Sequence, residues 1–211
     1  MTNSFIENLS SEIKKGLPGE KSHIKMAPLN RPLTSFFVKE GIAVRESAVA
    51  VILFPKNGNI HSILIQRQEY DGNHSGQIAF PGGKKDSGDK HLDYTARRET
   101  WEEVGLPIEN GELLGALTKV YIPVSGFIVQ PYIYFHSEII DFTPNEREVK
   151  EIITFELSEL LKESSISSMD INLSSGFTQK NVPCFEISDK QVWGATALIL
   201  NELRDIILNI K

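Results

Sequence analysis

The chain opens with apolar residues at helical spacing. Four of them recur every three or four positions, which predicts an amphipathic helix over residues 3–15; they are Phe5, Ile6, Leu9 and Ile13. Gly-Leu-Pro-Gly follows at 16–19, and glycine and proline are typical of a helix end. Residues 20–45 mix prolines and charges with short apolar patches. We predict a connector that packs on the following domain, because apolar residues would otherwise be exposed, namely Phe36, Phe37 and Val38.

Runs of apolar residues predict a sheet in the rest of the chain. Residues 47–54, SAVAVILF, form a nearly continuous apolar run, which indicates a strand buried on both faces. The turn sequence Asn-Gly-Asn at 57–59 and a second strand at 60–67 complete a predicted hairpin. Later segments predict strands at 113–120, 127–135 and 152–155, a short helix at 157–161, a serine-rich loop at 164–175 and a final helix at 193–207.

The predicted strands and helices do not follow the regular strand–helix–strand order of a parallel sheet. The expected fold class is therefore α/β (α+β), with a mixed β-sheet sandwiched between helices. We expect two parts: an N-terminal helix and connector over residues 1–44, packed on a main domain over residues 45–211.

Clustered carboxylates follow a glycine-rich turn between residues 80 and 106. Glu99, Glu102 and Glu103 stand at i, i+3 and i+4, so they share one face of a predicted helix. Like charges at this spacing repel by roughly 0.2–0.5 kcal/mol per pair. One explanation is a solvated acidic face. The other is a site for a hard divalent cation, and Gly82 and Gly83 favour it, since glycines let the backbone approach a phosphate or turn carbonyl oxygens toward a metal.

This stretch resembles the signature of the Nudix hydrolases, in which a glycine and a loop acid precede Arg-Glu-hydrophobe-x-Glu-Glu-x-Gly-hydrophobe. Three features depart from it: the loop acid is Asp89 rather than glutamate, the gap from Asp89 to Arg98 is one residue longer than usual, and Thr100 replaces a hydrophobic residue. The residues in register are Gly83, Asp89, Arg98, Glu99, Glu102, Glu103, Gly105 and Leu106.

A second constellation lies just upstream and resembles the signature of the coenzyme A pyrophosphatase branch of that family. Ile65, Gln68 and Gly72 depart from it, and Gly72 stands where the branch has a second arginine, so one cationic contact to the substrate is lost. The longer gap and Trp-Gly-Ala-Thr at 193–196 also look like this branch, and the resemblance spans roughly residues 45–200. The residues in register are Arg67, Gly76, Phe80, Pro81, Gly82 and Gly83.

The resemblance implies hydrolysis of a pyrophosphate bond with Mg²⁺ or Mn²⁺ as cofactor, in a Nudix hydrolase domain. The expected metal ligands are Glu99, Glu102, Glu103 and the carbonyl of Gly82, with Arg98 orienting the carboxylates. The general base would be one of these glutamates, Glu102 or Glu103 among them, or an acid of segment 146–151, and both Glu148 and Glu151 stay open.

Three residues are expected to contact the substrate. Arg67 can grip a phosphate bidentately at a strand end, His74 can donate a hydrogen bond, and Gly83 lets the backbone come close. Three aromatic residues of the later strands either line a base pocket or belong to the core, namely Tyr121, Phe127 and Tyr132.

The amino-acid composition narrows the classes of molecule that the chain is expected to bind. The formal net charge of −6 and the pI near 5.4 disfavour a general affinity for nucleic acid. One cysteine, Cys184, allows no intrachain disulfide, which fits the cytoplasm. No signal peptide or membrane span is expected. The expected partner is a small molecule, coenzyme A or a related nucleotide, with no nucleic acid and no membrane; a homodimer stays open.

Three functions remain open at this point. The first is cleavage of coenzyme A or its derivatives into 3′,5′-ADP and 4′-phosphopantetheine species. The second is the same chemistry on another nucleoside diphosphate derivative, such as ADP-ribose or a dinucleotide. The third is a binding module of the same fold without catalysis, which the intact set of helix carboxylates disfavours. A decapping role is disfavoured by the acidic charge balance.

Overall fold

A computed structural model describes residues 2–29, 31–69, 74–107, 111–172, 176 and 178–210 of the chain. No helix in these ranges is long and apolar enough to cross a membrane. Gly72 lies outside the described residues. The helices and strands, in chain order, are α1 Thr2–Lys15, α2 Glu20–His23, α3 Thr34–Lys39, β1 Arg45–Lys56, β2 Asn59–Arg67, β3 Ile78–Ala79, β4 Gly82–Lys84, α4 Leu92–Val104, β5 Glu112–Ala116, β6 Val120–Ile122, β7 Phe127–Phe135, β8 Val149–Glu156, α5 Leu157–Leu161, β9 Ile166–Asn172, β10 Thr178–Ile187, β11 Lys190–Trp193 and α6 Gly194–Leu208.

Strand β1 is the centre of a mixed sheet. It pairs antiparallel with β2 through the predicted hairpin and parallel with β7, in the order β3-β2-β1-β7-β5. The short strand β4 also pairs with β1, β6 pairs with β7, and β8 pairs with β2. Seven of the eight residues from Ser47 to Phe54 in β1 are buried, which confirms a strand covered on both faces.

The two faces of the sheet are covered by different helices. One face of β1 carries Val51 and Leu53, which belong to a core cluster with the apolar residues of α1 and α6. The other face carries Ala50 and Ile52, which pack with residues of α4. This side-to-side alternation follows from the two-residue period of a strand. The predicted mixed sheet between helices is confirmed.

A second sheet, β9-β10-β11, was missed at the level of sequence. The predicted loop at 164–175 is wrong for residues 166–172, which form β9 and pair with β10. Exposed and less exposed positions alternate along β9, as the two-residue period of a strand requires. Serines occupy some positions where apolar residues would be typical, so the composition of β9 does not reveal a strand. The strand predicted at 113–120 is divided into β5 and β6, with Gly115 inside β5 because a Cβ there would overlap Ile13 of α1.

Buried Glu202 of α6 fixes the N-terminal connector to the sheet. Its carboxylate accepts hydrogen bonds from the Gly19 backbone N–H at 3.0 Å and from the Thr118 hydroxyl at 2.6 Å, and it lies 3.2 Å from His23 Nε2. Burial raises the pKa of Glu202, but the hydrogen bonds from His23 and Thr118 outweigh it, so the pKa is lowered. The carboxylate is therefore a charged anchor that ties the connector and the loop between β5 and β6 to α6.

The apolar residues that were expected to pack the connector on the domain differ in burial. Phe37 packs on Tyr121, with ring centroids 4.2 Å apart. Phe36 is 50% exposed and Val38 is 60% exposed, so the expectation that both are covered is wrong. They lie on the short helix α3, which contacts β6 through one face and leaves the other to solvent.

We predict that Glu202→Ala lowers the free energy of unfolding by about 3–5 kcal/mol, because it leaves several buried donors without an acceptor. Chemical denaturation measures the change, and limited proteolysis reports whether residues 16–33 become cleavable. Glu7→Ala, at an exposed position of α1, is the control and should change stability little. Equal stability of the two variants would contradict the anchoring role.

Candidate active site

Helix α4 presents the predicted carboxylates, and its other face packs on the sheet. Ala96, Thr100 and Val104 are buried beneath it. Thr100 fits this apolar face because its hydroxyl donates to the Ala96 carbonyl at 2.7 Å. Gly105 ends the helix in the left-handed conformation, at φ 70°, and its N–H donates to the Trp101 carbonyl.

The three carboxylates of α4 differ in exposure. The side chain of Glu103 is 1% exposed, that of Glu99 16% and that of Glu102 41%. The shared face therefore runs from solvent into the protein, and Glu103 is its innermost member. Sequence spacing alone could not rank them, because the ranking depends on what covers each side chain.

Glu103 is held from two sides. Its Oε2 accepts a hydrogen bond from the Gly82 N–H at 2.8 Å, and its Oε1 lies 3.2 Å from Arg67 Nη1. Burial raises the pKa of Glu103 to about 8, although the Gly82 N–H and Arg67 both act to lower it. The charges of Glu99 and Glu148 contribute to this rise in the pKa. A carboxylate in this position favours an additional cation.

Arg98 links the outer carboxylates to the loop before α4. Its Nε and Nη2 donate to the two oxygens of Asp89, each at 3.0 Å, in a bidentate pair. Its Nη1 donates to Glu102 at 3.0 Å, and Nη2 also lies 3.0 Å from Glu99. The pair with Arg98 lowers the pKa of Asp89 to about 2. The structure thus brings Arg98 to the carboxylates it was expected to orient.

The two glycines of β4 each serve a close approach. A Cβ on Gly82 would overlap the backbone of β1 at Ala48 and Val49, and Gly82 adopts φ 150°. A Cβ on Gly83 would overlap the Glu99 carboxylate. Gly83, expected to admit substrate, therefore lies directly against a predicted metal ligand, and its first structural effect is to give that carboxylate room.

Glu148 and Glu151 occupy different surroundings. The pKa of Glu99 is raised chiefly by burial, and the charges of Glu102 and Glu148 add to the rise. Glu148 therefore lies within electrostatic reach of Glu99, as it does of Glu103. The carboxylate of Glu151 instead accepts a hydrogen bond from Lys190 of β11 at 2.6 Å. Glu148 is thus within electrostatic reach of the helix carboxylates, whereas Glu151 forms an exposed ion pair with Lys190.

The expected substrate contacts lie at the end of β2 and beyond. Arg67 ends β2, where the pairing with β8 shifts register between Gln66 and Arg67. His74 adopts φ 67°, and its Nδ1 lies 2.9 Å from the Gln77 side-chain oxygen. Residues 70–73 between them fall outside the described ranges.

The three aromatic residues considered for a base pocket lie in different surroundings. Tyr121 is buried and packs against Phe37, so it belongs to the structural core. Phe127 is partly exposed and lies beneath the Arg45 guanidinium, 4.1 Å from its ring centroid. Tyr132 is partly buried, and burial together with the charge of Asp93 raises its pKa.

The residues present fit a divalent cation by their chemistry. Burial and mutual repulsion both oppose the ionised forms of Glu99 and Glu103, and a bound divalent cation would offset both penalties. Within the described ranges, no three Asp, Glu, His or Cys side chains converge at the spacing of metal ligands. Arg98 engages both Glu99 and Glu102, so metal binding by these two requires a rearrangement of their side chains.

Comparisons with known proteins identify the family of this chain. Residues 44–170 match the NUDIX domain family. A relative from Pectobacterium atrosepticum, named "Uncharacterized Nudix hydrolase NudL", is 35% identical over 143 residues, which cover 67% of this chain and 73% of the relative. A relative of the same name from Citrobacter koseri is 33% identical over 159 residues, or 75% of this chain and 81% of the relative.

A solved structure gives the same fold. The crystal structure of a Nudix hydrolase from M. Smegmatis, RenU, aligns with a TM-score of 0.54 and covers 79% of this chain and 88% of that chain. At 18% identity this likeness supports the fold alone. The family match and the sequence relatives go further: the chain belongs to the Nudix hydrolase family, whose enzymes are pyrophosphohydrolases.

Proposed function

We propose that this enzyme hydrolyses the pyrophosphate bond of coenzyme A or its derivatives, giving 3′,5′-ADP and 4′-phosphopantetheine species. One observation carries the proposal: Arg67 and Gly82 both contact the buried carboxylate of Glu103, at 3.2 and 2.8 Å. Arg67 and Gly82 belong to the upstream signature of the coenzyme A branch, whereas Glu103 belongs to the general Nudix helix. Their contact supports a direct part for the upstream signature in binding the pyrophosphate.

The proposed cofactor is Mg²⁺ or Mn²⁺, held by Glu99, Glu102 and Glu103, with the Gly82 carbonyl as a further ligand. The acidic oxygen donors and the unfavourable charge of Glu103 support this set. When bound, such a cation neutralises the pyrophosphate oxygens and lowers the pKa of a bound water. Arg98 keeps the outer carboxylates in register through its bidentate pair with Asp89.

Glu148 is the proposed general base. It lies close enough to influence both Glu99 and Glu103, and its side chain is exposed, so a water molecule can reach it. The backbone carbonyl of Glu148 accepts the Gln68 N–H at 2.9 Å, which ties its position to the end of β2 beside Arg67. Glu151 is less suitable because Lys190 already neutralises its carboxylate. In the catalytic step a proton would pass from water to Glu148 as the water oxygen attacks one phosphorus of the pyrophosphate, and the bridging P–O bond would break to release the other phosphate.

The proposed substrate contacts are Arg67, His74 and Gly83. Arg67 has the planar donor arrangement that suits two phosphate oxygens. His74 is held by Gln77 near the end of β2, and Gly83 has no side chain, which leaves room for the Glu99 carboxylate beside the backbone. The single buried cysteine, Cys184, supports a reducing, cytoplasmic setting.

The second candidate substrate class is another nucleoside diphosphate derivative, ADP-ribose or a dinucleotide. The loss of an arginine at Gly72 favours it, because that residue would have recognised a group particular to coenzyme A. The same carboxylates and the same base would act on either class, so the substrate has to be decided by kinetics.

The first test of the proposed function compares substrates. Coenzyme A, dephospho-coenzyme A and ADP-ribose are incubated separately with Mg²⁺ or Mn²⁺, products are identified by mass spectrometry, and kcat/KM is measured. A charge-assisted contact to phosphate contributes on the order of 1.5–3 kcal/mol. Because Gly72 cannot provide it, we expect coenzyme A to be cleaved with less than about a tenfold preference over the dephospho form. Efficient cleavage of ADP-ribose alone would overturn the assignment.

The second test separates the two acids of segment 146–151. We expect Glu148→Gln to lower kcat by roughly 10²–10⁴, the range for loss of a general base. Glu151→Gln, the matched control in the same segment, should keep kcat within about twofold, because its carboxylate is paired with Lys190. Both side chains are exposed, so circular dichroism should show folded variants. The reverse ranking of the two kcat values would exclude Glu148 as the base.

The third test uses the pKa of Glu103. Since its folded-state pKa is raised to about 8, ionising it costs stability as the pH rises from the unfolded-state value toward 8. In the presence of a chelator, Glu103→Gln should therefore be more stable than the unsubstituted chain at pH 8, by on the order of 1 kcal/mol or more, and nearly equal to it at pH 5. Thermal unfolding at the two pH values measures this, with Glu102→Gln as the more exposed control. A pH-independent difference would refute the burial argument, and near-normal turnover in Glu103→Gln would refute its metal role.

A further inference from the structure

Arg67 and Gly82 engage different oxygens of the same carboxylate, and they differ in how easily they can move away. The Gly82 N–H belongs to the backbone of β4, which is paired with β1 at Val49. The Arg67 guanidinium stands at the end of a long side chain that is 28% exposed. Of the two partners of Glu103, only the arginine can leave without disturbing the sheet.

Strand geometry directs Arg67 to this carboxylate. Ile63 and Ile65 of β2 pack in the core cluster beneath α4, and Arg67 continues their alternation on the same face. Among the described residues, Glu103 is the one group with which the Arg67 side chain forms a hydrogen bond or ion pair. No second carboxylate there holds the arginine once Glu103 takes another partner.

A divalent cation at Glu103 and the Arg67 guanidinium oppose each other. Both are attracted to the same carboxylate, and at a separation of a few ångströms in a partly buried site they repel strongly. A pyrophosphate beside that cation supplies the anionic oxygens that the displaced guanidinium needs. The geometry therefore gives Arg67 two alternative anionic partners, one in the protein and one in the substrate.

We propose that Arg67 couples metal binding to substrate binding by exchanging partners, from the Glu103 carboxylate to the pyrophosphate, as Glu103 becomes a metal ligand. This inference rests on the metal ligands of the proposed function but not on the identity of the substrate. It differs from a fixed substrate clamp, because Arg67 then opposes the metal until the pyrophosphate arrives. The exchange predicts that removing Arg67 strengthens binding of the metal alone, because a nearby positive charge is lost, and weakens binding of the diphosphate, because a phosphate contact is lost.

The test measures the two affinities separately. Mn²⁺ alone is titrated into the full chain, with free Mn²⁺ counted by electron paramagnetic resonance. ADP, which contains the pyrophosphate group shared by all candidate substrates, is then titrated by calorimetry at saturating Mg²⁺. For Arg67→Gln we expect Mn²⁺ to bind roughly threefold to tenfold more tightly and ADP to bind at least about tenfold more weakly.

Two further variants control the result. Arg67→Lys keeps the positive charge but not the planar donor pair, so Mn²⁺ affinity should stay near that of the unsubstituted chain while ADP affinity falls. Arg45→Gln removes an arginine that stacks on Phe127 instead, and should change neither affinity. Thermal unfolding of each variant verifies the fold, and Arg67→Lys keeps the test open if Arg67→Gln is unstable.

Different results would contradict different parts of the proposal. Unchanged or weaker Mn²⁺ binding in folded Arg67→Gln would overturn the exchange, because a fixed clamp predicts no change and a merely structural role predicts a loss. Absence of Mn²⁺ binding to the unsubstituted chain would overturn the proposed metal ligands and the exchange with them. Failure to cleave coenzyme A would affect the substrate assignment alone, since neither titration uses that molecule.

Discussion

The carboxylate of Glu103 is the group on which the other parts of the site depend. It is almost fully buried, yet it has an N–H donor on one oxygen and an arginine on the other. Burying a carboxylate is costly unless it is paired and hydrogen-bonded, so the surrounding elements have to supply partners at fixed positions. The Gly82 N–H, Arg67 and a divalent cation are the groups that can meet this need.

Four separate features of the scaffold meet this need. The alternation of β2 brings Arg67 to the face beneath α4, and the pairing of β4 with β1 fixes the Gly82 N–H. The absence of a side chain at Gly83 makes room for Glu99. Arg98, paired with Asp89, places a positive charge beside the carboxylates of Glu99 and Glu102. Together these features gather acidic oxygens at the site proposed for the cation.

Local patterns were sufficient to predict helix α4, its acidic face, the buried strand β1 and the hairpin to β2. The order of burial among the glutamates was not predictable, because it depends on contacts from β2 and β4. Glu148 and Glu151 could not be separated either, since the partner of Glu151 is Lys190, a residue of the second sheet. The second sheet was not predicted, because the serines of β9 are typical of loops.

The most direct test of this account is the effect of Mn²⁺ on thermal unfolding. A ligand that binds the folded state alone stabilises it by about 2.7 kcal/mol at a concentration one hundred times its Kd. The account predicts that saturating Mn²⁺ raises the unfolding temperature of the unsubstituted chain by several degrees and leaves that of Glu103→Gln nearly unchanged. An equal rise in both proteins would show that the cation is held elsewhere and would contradict the central place given to Glu103.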